Sequence, residues 1–143
     1  IAIDYGCTDE DFRRTVQVRA QHRNLHSPFD SIGEADITMS VDWRSIVECA
    51  QGNGLRVTGF TDQHHFLTGI ISEFESGDVG QSLLAHSPKA KRELQTLLHP
   101  EMLGRAFQVL ALAKNVDSGM NPLAGFKFAA ESRSSLKLTD SAE

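Results

Sequence analysis

The chain lacks a long hydrophobic run, a paired-cysteine motif and any excess of positive charge, and it carries one tryptophan and one tyrosine. Each absence excludes something. No apolar stretch approaches the roughly 20 residues of a membrane span, and the first residues lack the basic, apolar, small-residue order of a signal peptide. Cys7 and Cys49 have no CxxC spacing, which argues against a zinc ribbon or a disulfide scaffold. The two thiols read as structural, in a reducing compartment. With 14 Lys and Arg against 19 Asp and Glu, a formal net charge of −5 and a pI near 5.6, the chain is too acidic for a general polyanion binder. Nucleic acid is therefore not the expected partner. No Gly-x-Gly-x-x-Gly, phosphate loop or HExxH is present, and no metal site is expected: His22 and His26 stand four apart and His64 and His65 are adjacent, but no third ligand is defined.

What is present is an ordinary globular composition, 40% hydrophobic and 23% charged over 143 residues, enough for one domain with a core. "IAIDYG" reads as the end of a buried strand, with Ile1 and Ile3 followed by Asp4, Tyr5 and Gly6. From Cys7 to Ile32 the pattern is irregular and polar, with Pro28 and then Gly33 as breaks, which predicts a long functional excursion holding short helical or strand pieces. Regularity returns at "SVDWRSIVECAQGNG", where Asp42 can cap a helix with Trp43, Ile46, Val47 and Ala50 on its inner face and Gly52 and Gly54 at its end. "LRVTGF" follows as a strand, so the order strand, excursion, helix, strand predicts a parallel βαβ crossover.

A second helix is expected with Phe66, Leu67, Ile70, Ile71 and Phe74 on one face, and a third in "SPKAKRELQTLLH" with Ser87 as cap and Ala90, Leu94, Leu97 and Leu98 inside. "GRAFQVLALAK" suits a strand covered on both sides. "PLAGFKFA" predicts a brief edge strand, and "ESRSSLKLTDSAE" a flexible tail, so the domain is expected over 1–130 and the tail over 131–143. Three strands with helical connections make an α/β layer, about half of a usual open sheet. The first strand is expected to pair with a neighbour this chain does not hold.

In open α/β sheets ligands sit outside the carboxyl ends of the strands, which is where Asp4, Tyr5 and Gly6 fall. A turn cap is the alternative for Asp4. Asp36 and Thr38 would share one face of an extended segment, Asp42 is useful as a cap, and Gln63 falls at the carboxyl end of the second strand beside a helix start. A nucleophilic Cys7 would need a base that no neighbour in sequence supplies.

The segments "IDYG", "NLHSPFDSIGEADITMSVDW", "GFTDQHHFL", "HPEMLGRAFQVLAL" and "LAGF" together resemble the C-terminal half of the MidA-like family of class I S-adenosylmethionine-dependent methyltransferases. That family includes a mitochondrial protein arginine methyltransferase that assists assembly of respiratory complex I. The resemblance runs from Ile1 to about Phe126. It implies a Rossmann-like α/β fold in which "IAIDYG", "LRVTGF" and "AFQVLALA" are the fifth, sixth and antiparallel seventh strands, with helical insertions. The chain would then start partway through the domain, after the glycine-rich cofactor loop and the ribose-binding acid, so no cofactor-binding residue is expected in it.

By the same resemblance the motif positions fall on Asp4, Tyr5, Gly6, His26, Gly33, Asp36, Thr38, Asp42, Gln63, Phe66, Gly104, Phe107, Gly125 and Phe126. Asp36, His26 and Asp4 are implied as catalytic, with Tyr5, Gly6, Thr38, Asp42 and Gln63 binding substrate, because orienting a guanidinium and removing its proton suits carboxylates and a histidine. The family's arginine is replaced by Gln17. The expected cofactor of the complete enzyme is S-adenosylmethionine and the expected partner a protein substrate, with a respiratory complex I subunit as the candidate the resemblance implies. The expected location is the mitochondrial matrix in a eukaryote or the cytoplasm in a bacterium. The alternative is a non-catalytic methyltransferase half that serves as a scaffold or assembly-factor interaction module.

Overall fold

The computed structural model describes residues 1–8, 16–75, 88–116, 123–130 and 135–136. Its strands are β1 (Ala2–Cys7), β2 (Gln17–Ala20), β3 (Arg23–Leu25), β4 (Asp36–Thr38), β5 (Val41–Asp42), β6 (Arg56–Asp62) and β7 (Phe107–Ala113). The helices are α1 (Trp43–Gly52), α2 (Gln63–Glu75) and α3 (Pro88–Leu98), with a π-type turn at Pro100–Gly104 and a 3-10 turn at Ala124–Phe126. Among the described residues no helix is long and apolar enough to cross a membrane.

The strands form a four-stranded sheet in the order β5-β1-β7-β6 and a three-stranded sheet in the order β3-β2-β4. β1 and β6 are both antiparallel to β7 and hence parallel to each other, so the expected crossover exists with β7 inserted between its strands. The continuous apolar run of β7 is what that central place requires. Alternate residues face opposite layers, and on one side Leu110 joins Phe60, Trp43, Val47 and Leu136. On the other side Val109 and Ala111 join Phe126, with Phe66 and Ala129 against them.

Local chemistry explains α1. The Asp42 carboxylate accepts a hydrogen bond from the Ser45 backbone N–H at 3.2 Å, which satisfies one of the donors a helix start leaves open. Gly54, at φ +77°, turns the chain in a conformation that penalises other residues, and Leu55 N–H returns to the Ala50 carbonyl at 2.9 Å. Trp43 and Val47 are buried as expected, whereas Ile46 is 40% exposed. In α3, Ala90, Leu94 and Leu98 are half-buried and Leu97 is exposed. The expected cap at Ser87 lies outside the described residues, as do the side chain of Phe74 and most of 131–143.

The described residues of "PLAGFKFA" form no strand; Ala124–Phe126 is a 3-10 turn. Packing rather than pairing sets its shape. The Phe66 ring occupies the space a Cβ on Gly125 would need, and the Phe126 ring does the same over Gly59. Phe66 and Phe126 meet edge to face, 5.2 Å between centroids. Leu136, inside the segment expected as a tail, is fully buried in the Trp43 cluster. The expected excursion holds β2 and β3, and β4 beyond it completes the three-stranded sheet; β1 itself pairs with β7 along Ala2–Tyr5 and with β5 only at Gly6 and Cys7, leaving Ile1 and Ile3 exposed.

Candidate functional site

The register of the four-stranded sheet aligns Asp4, Gln108 and Asp62 across β1, β7 and β6, all on the Trp43 face at the carboxyl ends of β1 and β6. Asp4 is half-buried, and its carboxylate accepts from the Tyr5 N–H at 2.8 Å. Tyr5 lies on the opposite face, where its ring meets Phe107 edge-on at 5.8 Å. Gly6 does not border open space: the Trp43 indole and the Val41 carbonyl fill the position of a side chain there. The indole N–H of Trp43 donates to Gln108 Oε1 at 2.6 Å.

The start of α2 is built from side chains that bind backbone. Gln63 Nε2 donates to the Leu97 carbonyl at 3.0 Å, and His64 Nδ1 donates to the Leu98 carbonyl at 2.7 Å. Both carbonyls belong to the last turn of α3, where a helix leaves acceptors unpaired. Gln63 therefore ties two helices together. Asp62 Oδ1 accepts from the backbone N–H of His65 at 2.8 Å and from its Nδ1 at 2.7 Å. The sequence reading did not single out Asp62, His65 as its partner, or Gln108; the three-residue spacing of an acid and a histidine across a strand-to-helix junction was the available signal.

The three-stranded sheet holds the other candidates. Asn24, Arg19 and Asp36 lie side by side across β3, β2 and β4, and Arg19 Nε donates to Asn24 Oδ1 at 3.0 Å. Thr38 lies two residues along from Asp36 on the same face, paired in register with Gln17. An open cleft of about 530 Å³ is lined by Arg19, Gln21, His22, Asn24 and Asp36. Gln21 and His22, the two turn residues between β2 and β3, have φ of +50° and +63°, the left-handed pair that a two-residue hairpin of this kind normally gives to Asn and Gly. His26 is exposed and follows β3 at the Thr38 end. The histidine that shares the cleft with Asp36 is thus His22. Asp42 caps α1. The structure brings Asp36 and Thr38 onto one face, and it carries Asp4 and Tyr5 on a different sheet, on opposite faces of it.

A bound nucleotide cofactor asks for glycine-lined backbone open at a strand end, with free amides at a helix start. Gly6 is covered, and Asp42 and Asp62 each accept one backbone N–H in the first turns of α1 and α2. No described residue is assigned to such a cofactor. Among the described residues no three metal-ligating side chains cluster.

Such an α/β arrangement, with an antiparallel strand between two parallel ones, has counterparts. Residues 1–61 match the family described as "Putative S-adenosyl-L-methionine-dependent methyltransferase". A solved structure of an uncharacterized protein from Burkholderia thailandensis is 28% identical with a TM-score of 0.69, covering 92% of this chain and 36% of its own. A second structure from that organism, described as a "likely methyl transferase" and bound to S-adenosyl-homocysteine, is also 28% identical with a TM-score of 0.69, covering 92% of this chain and 35% of its own. The chain thus spans about a third of the length of the solved structures it matches. No curated protein matches it. The fold is that of these methyltransferase-like structures, and the family similarity is to S-adenosylmethionine-dependent methyltransferases.

Proposed function

We propose that the chain is the C-terminal part of a MidA-like, S-adenosylmethionine-dependent protein arginine methyltransferase, with residues 1–130 in its methyltransferase domain and Leu136 extending the core. The observation that carries this reading is the sheet order β5-β1-β7-β6 with an Asp36-bearing sheet inserted directly after β1. A protein substrate, a respiratory complex I subunit in the fullest form of the proposal, would present an arginine to that inserted sheet. The site of action would be the mitochondrial matrix in a eukaryote and the cytoplasm in a bacterium.

In this reading Asp36 holds the guanidinium and accepts its proton, tasks that a carboxylate performs by charge-assisted hydrogen bonding. Thr38 lies further along the same sheet, His26 directly follows its β3 strand, and Asp4 and Tyr5 border the substrate at the end of β1. Asp42, Gln63 and Gly6 serve by holding elements in place. The test uses the longest natural polypeptide that carries this chain, with methyl transfer to arginine peptides and thermal stability read on one preparation. Asp36→Asn is expected to lower turnover on the order of 10²-fold with the melting temperature nearly unchanged. A folded variant with near-normal turnover removes Asp36 from catalysis, and methyl groups found only on residues other than arginine overturn the substrate assignment. The 143-residue chain alone is expected to show no saturable S-adenosylmethionine binding by calorimetry.

The exposed Phe29 and Ile32 of the excursion and Ile37 of β4 favour a second reading, a non-catalytic interaction module. A variant without methyl transfer that still supports complex I assembly in cells would select it.

A further inference from the structure

The polar face of the three-stranded sheet keeps two opposite charges apart. Arg19 and Asp36 are direct cross-strand partners of β2 and β4, a position in which a guanidinium and a carboxylate attract each other. Among the described residues no hydrogen bond or ion pair joins them. The Arg19 side chain engages the other neighbour instead, its Nε donating to Asn24 Oδ1 at 3.0 Å, and the two terminal nitrogens take no partner among the described residues. The Asp36 carboxylate takes none either, and both residues line the open cleft of about 530 Å³. We infer that this cleft recognises a carboxylate through the Arg19 fork, so that the substrate carries an acidic group close to the cation that Asp36 holds.

The bond to Asn24 uses Nε and leaves the edge formed by the two terminal nitrogens, which can take a carboxylate with two parallel hydrogen bonds. Arg19 is also the one cation on this face among the described residues of the sheet. Alternation along the strands puts Gln17, Asn24, Asp36 and Thr38 beside it, and sends Arg23 to the opposite face with Val18 and Leu25. A lone anion would be repelled by Asp36, and a doubly charged phosphate more strongly than a carboxylate. A ligand that brings a cation for Asp36 and a carboxylate for Arg19 avoids that repulsion. Opposed residues of paired strands stand roughly 5 Å apart at Cβ. In an extended peptide, side chains two residues apart share a face at about 7 Å, a difference that long side chains span. The fitting spacing is therefore an acid two residues from the arginine.

That the cation is an arginine rests on the proposed function; that the anion is a carboxylate rests on Arg19 alone. A purely structural Arg19 would brace the hairpin by joining β2 to β3 through Asn24. Such a brace needs only Nε and is indifferent to the charge of a ligand. Closure of Arg19 onto Asp36 is the other plain arrangement, and an exposed pair of that kind is weak enough for a ligand bearing both charges to displace it. A side chain and a free C-terminus present the same two carboxylate oxygens, so the experiment has an arm for each.

The experiment uses the longest natural polypeptide that carries this chain, isotope-labelled at arginine, and follows the Arg19 Nε–H resonance, assigned by its absence in Arg19→Gln. Capped Arg-Ala-Asp in both chain directions, capped Arg-Ala-Asn, capped citrulline-Ala-Asp, and Arg-Ala with a free terminal carboxylate are titrated in. The better direction of the Arg and Asp peptide should bind saturably with Kd about 1 mM or tighter. The Asn peptide should bind about fivefold or more weakly. Arg19→Gln should bind the Asp and Asn peptides alike in a polypeptide whose melting temperature is preserved, and Arg19→Lys, which keeps the charge without the fork, should recover part of the preference. Tighter binding of the peptide with a free end makes the C-terminus the source of the carboxylate; tighter binding of the capped acid makes it a side chain. Equal binding of the citrulline peptide would remove arginine from Asp36 and leave the role of Arg19 standing. Equal binding of the Asp and Asn peptides, an acid preference that survives in Arg19→Gln, or no saturable shift with any peptide overturns the carboxylate assignment.

Discussion

The four-stranded sheet and the three-stranded sheet keep their shapes by different means. In the first, β7 is buried from both sides, and a single row of alternating side chains serves two core layers. In the second, Val18 is the one buried hydrophobic residue among the described residues of β2, β3 and β4, while Ile37 is 62% exposed. Its form rests on short ladders, the Arg19–Asn24 bond and a left-handed two-residue turn. Burial fixes the larger sheet, and local backbone chemistry fixes the smaller. Recognition residues sit well on the second kind of region because its side chains are not consumed by packing.

The contrast predicts unequal responses to mutation. Trp43→Ala removes the largest fully buried side chain and the hydrogen bond to Gln108, and should cost about 3–5 kcal/mol by denaturant unfolding. A loss under about 1 kcal/mol would mean that this face is loosely packed. Leu136→Ala comes next, at about 2–4 kcal/mol, because the side chain has no exposure. If a chain ending at 130 melts at the same temperature as the 143-residue chain, Leu136 is not part of the core.

Gly6→Ala introduces a methyl group where the Trp43 indole and the Val41 carbonyl already sit, for a cost of about 1–3 kcal/mol. Wild-type stability with an unshifted Trp43 indole resonance would refute the close approach. The smallest change has the opposite sign. Replacing Gln21 with Asn and His22 with Gly relieves two left-handed residues and should stabilise the hairpin by about 0.5–1 kcal/mol, seen as slower amide exchange in β2 and β3. If exchange there is faster, side-chain contacts of His22 outweigh its backbone strain.

Much of this was legible along the chain. The spacing of Trp43 and Val47 after Asp42 announced α1 with its cap, and the apolar run at Phe107–Ala113 announced a strand covered on both sides. The shared face of Asp36 and Thr38 follows from their separation by two in an extended segment. Less visible was which histidine joins Asp36. His26 sits in the segment that carries the family resemblance, but the hairpin folds His22 back into the cleft instead. The apolar "PLAGF" read as a strand, because sequence cannot show that the Phe66 and Phe126 rings need glycine beneath them.

By itself the sequence determined the period of each element, its caps and its stops, since these depend on residues within a few positions of one another. It also carried the family likeness, because that resides in residue order. Only the tertiary structure decided that β7 enters between β1 and β6, which places Asp4, Gln108 and Asp62 in one row although they come from distant parts of the chain. Only it closed Gly6 with Trp43 and committed Gln63 to the end of α3. The reason is physical: strand order and register are chosen by the summed burial of both sheet faces, a quantity that no local window of sequence contains.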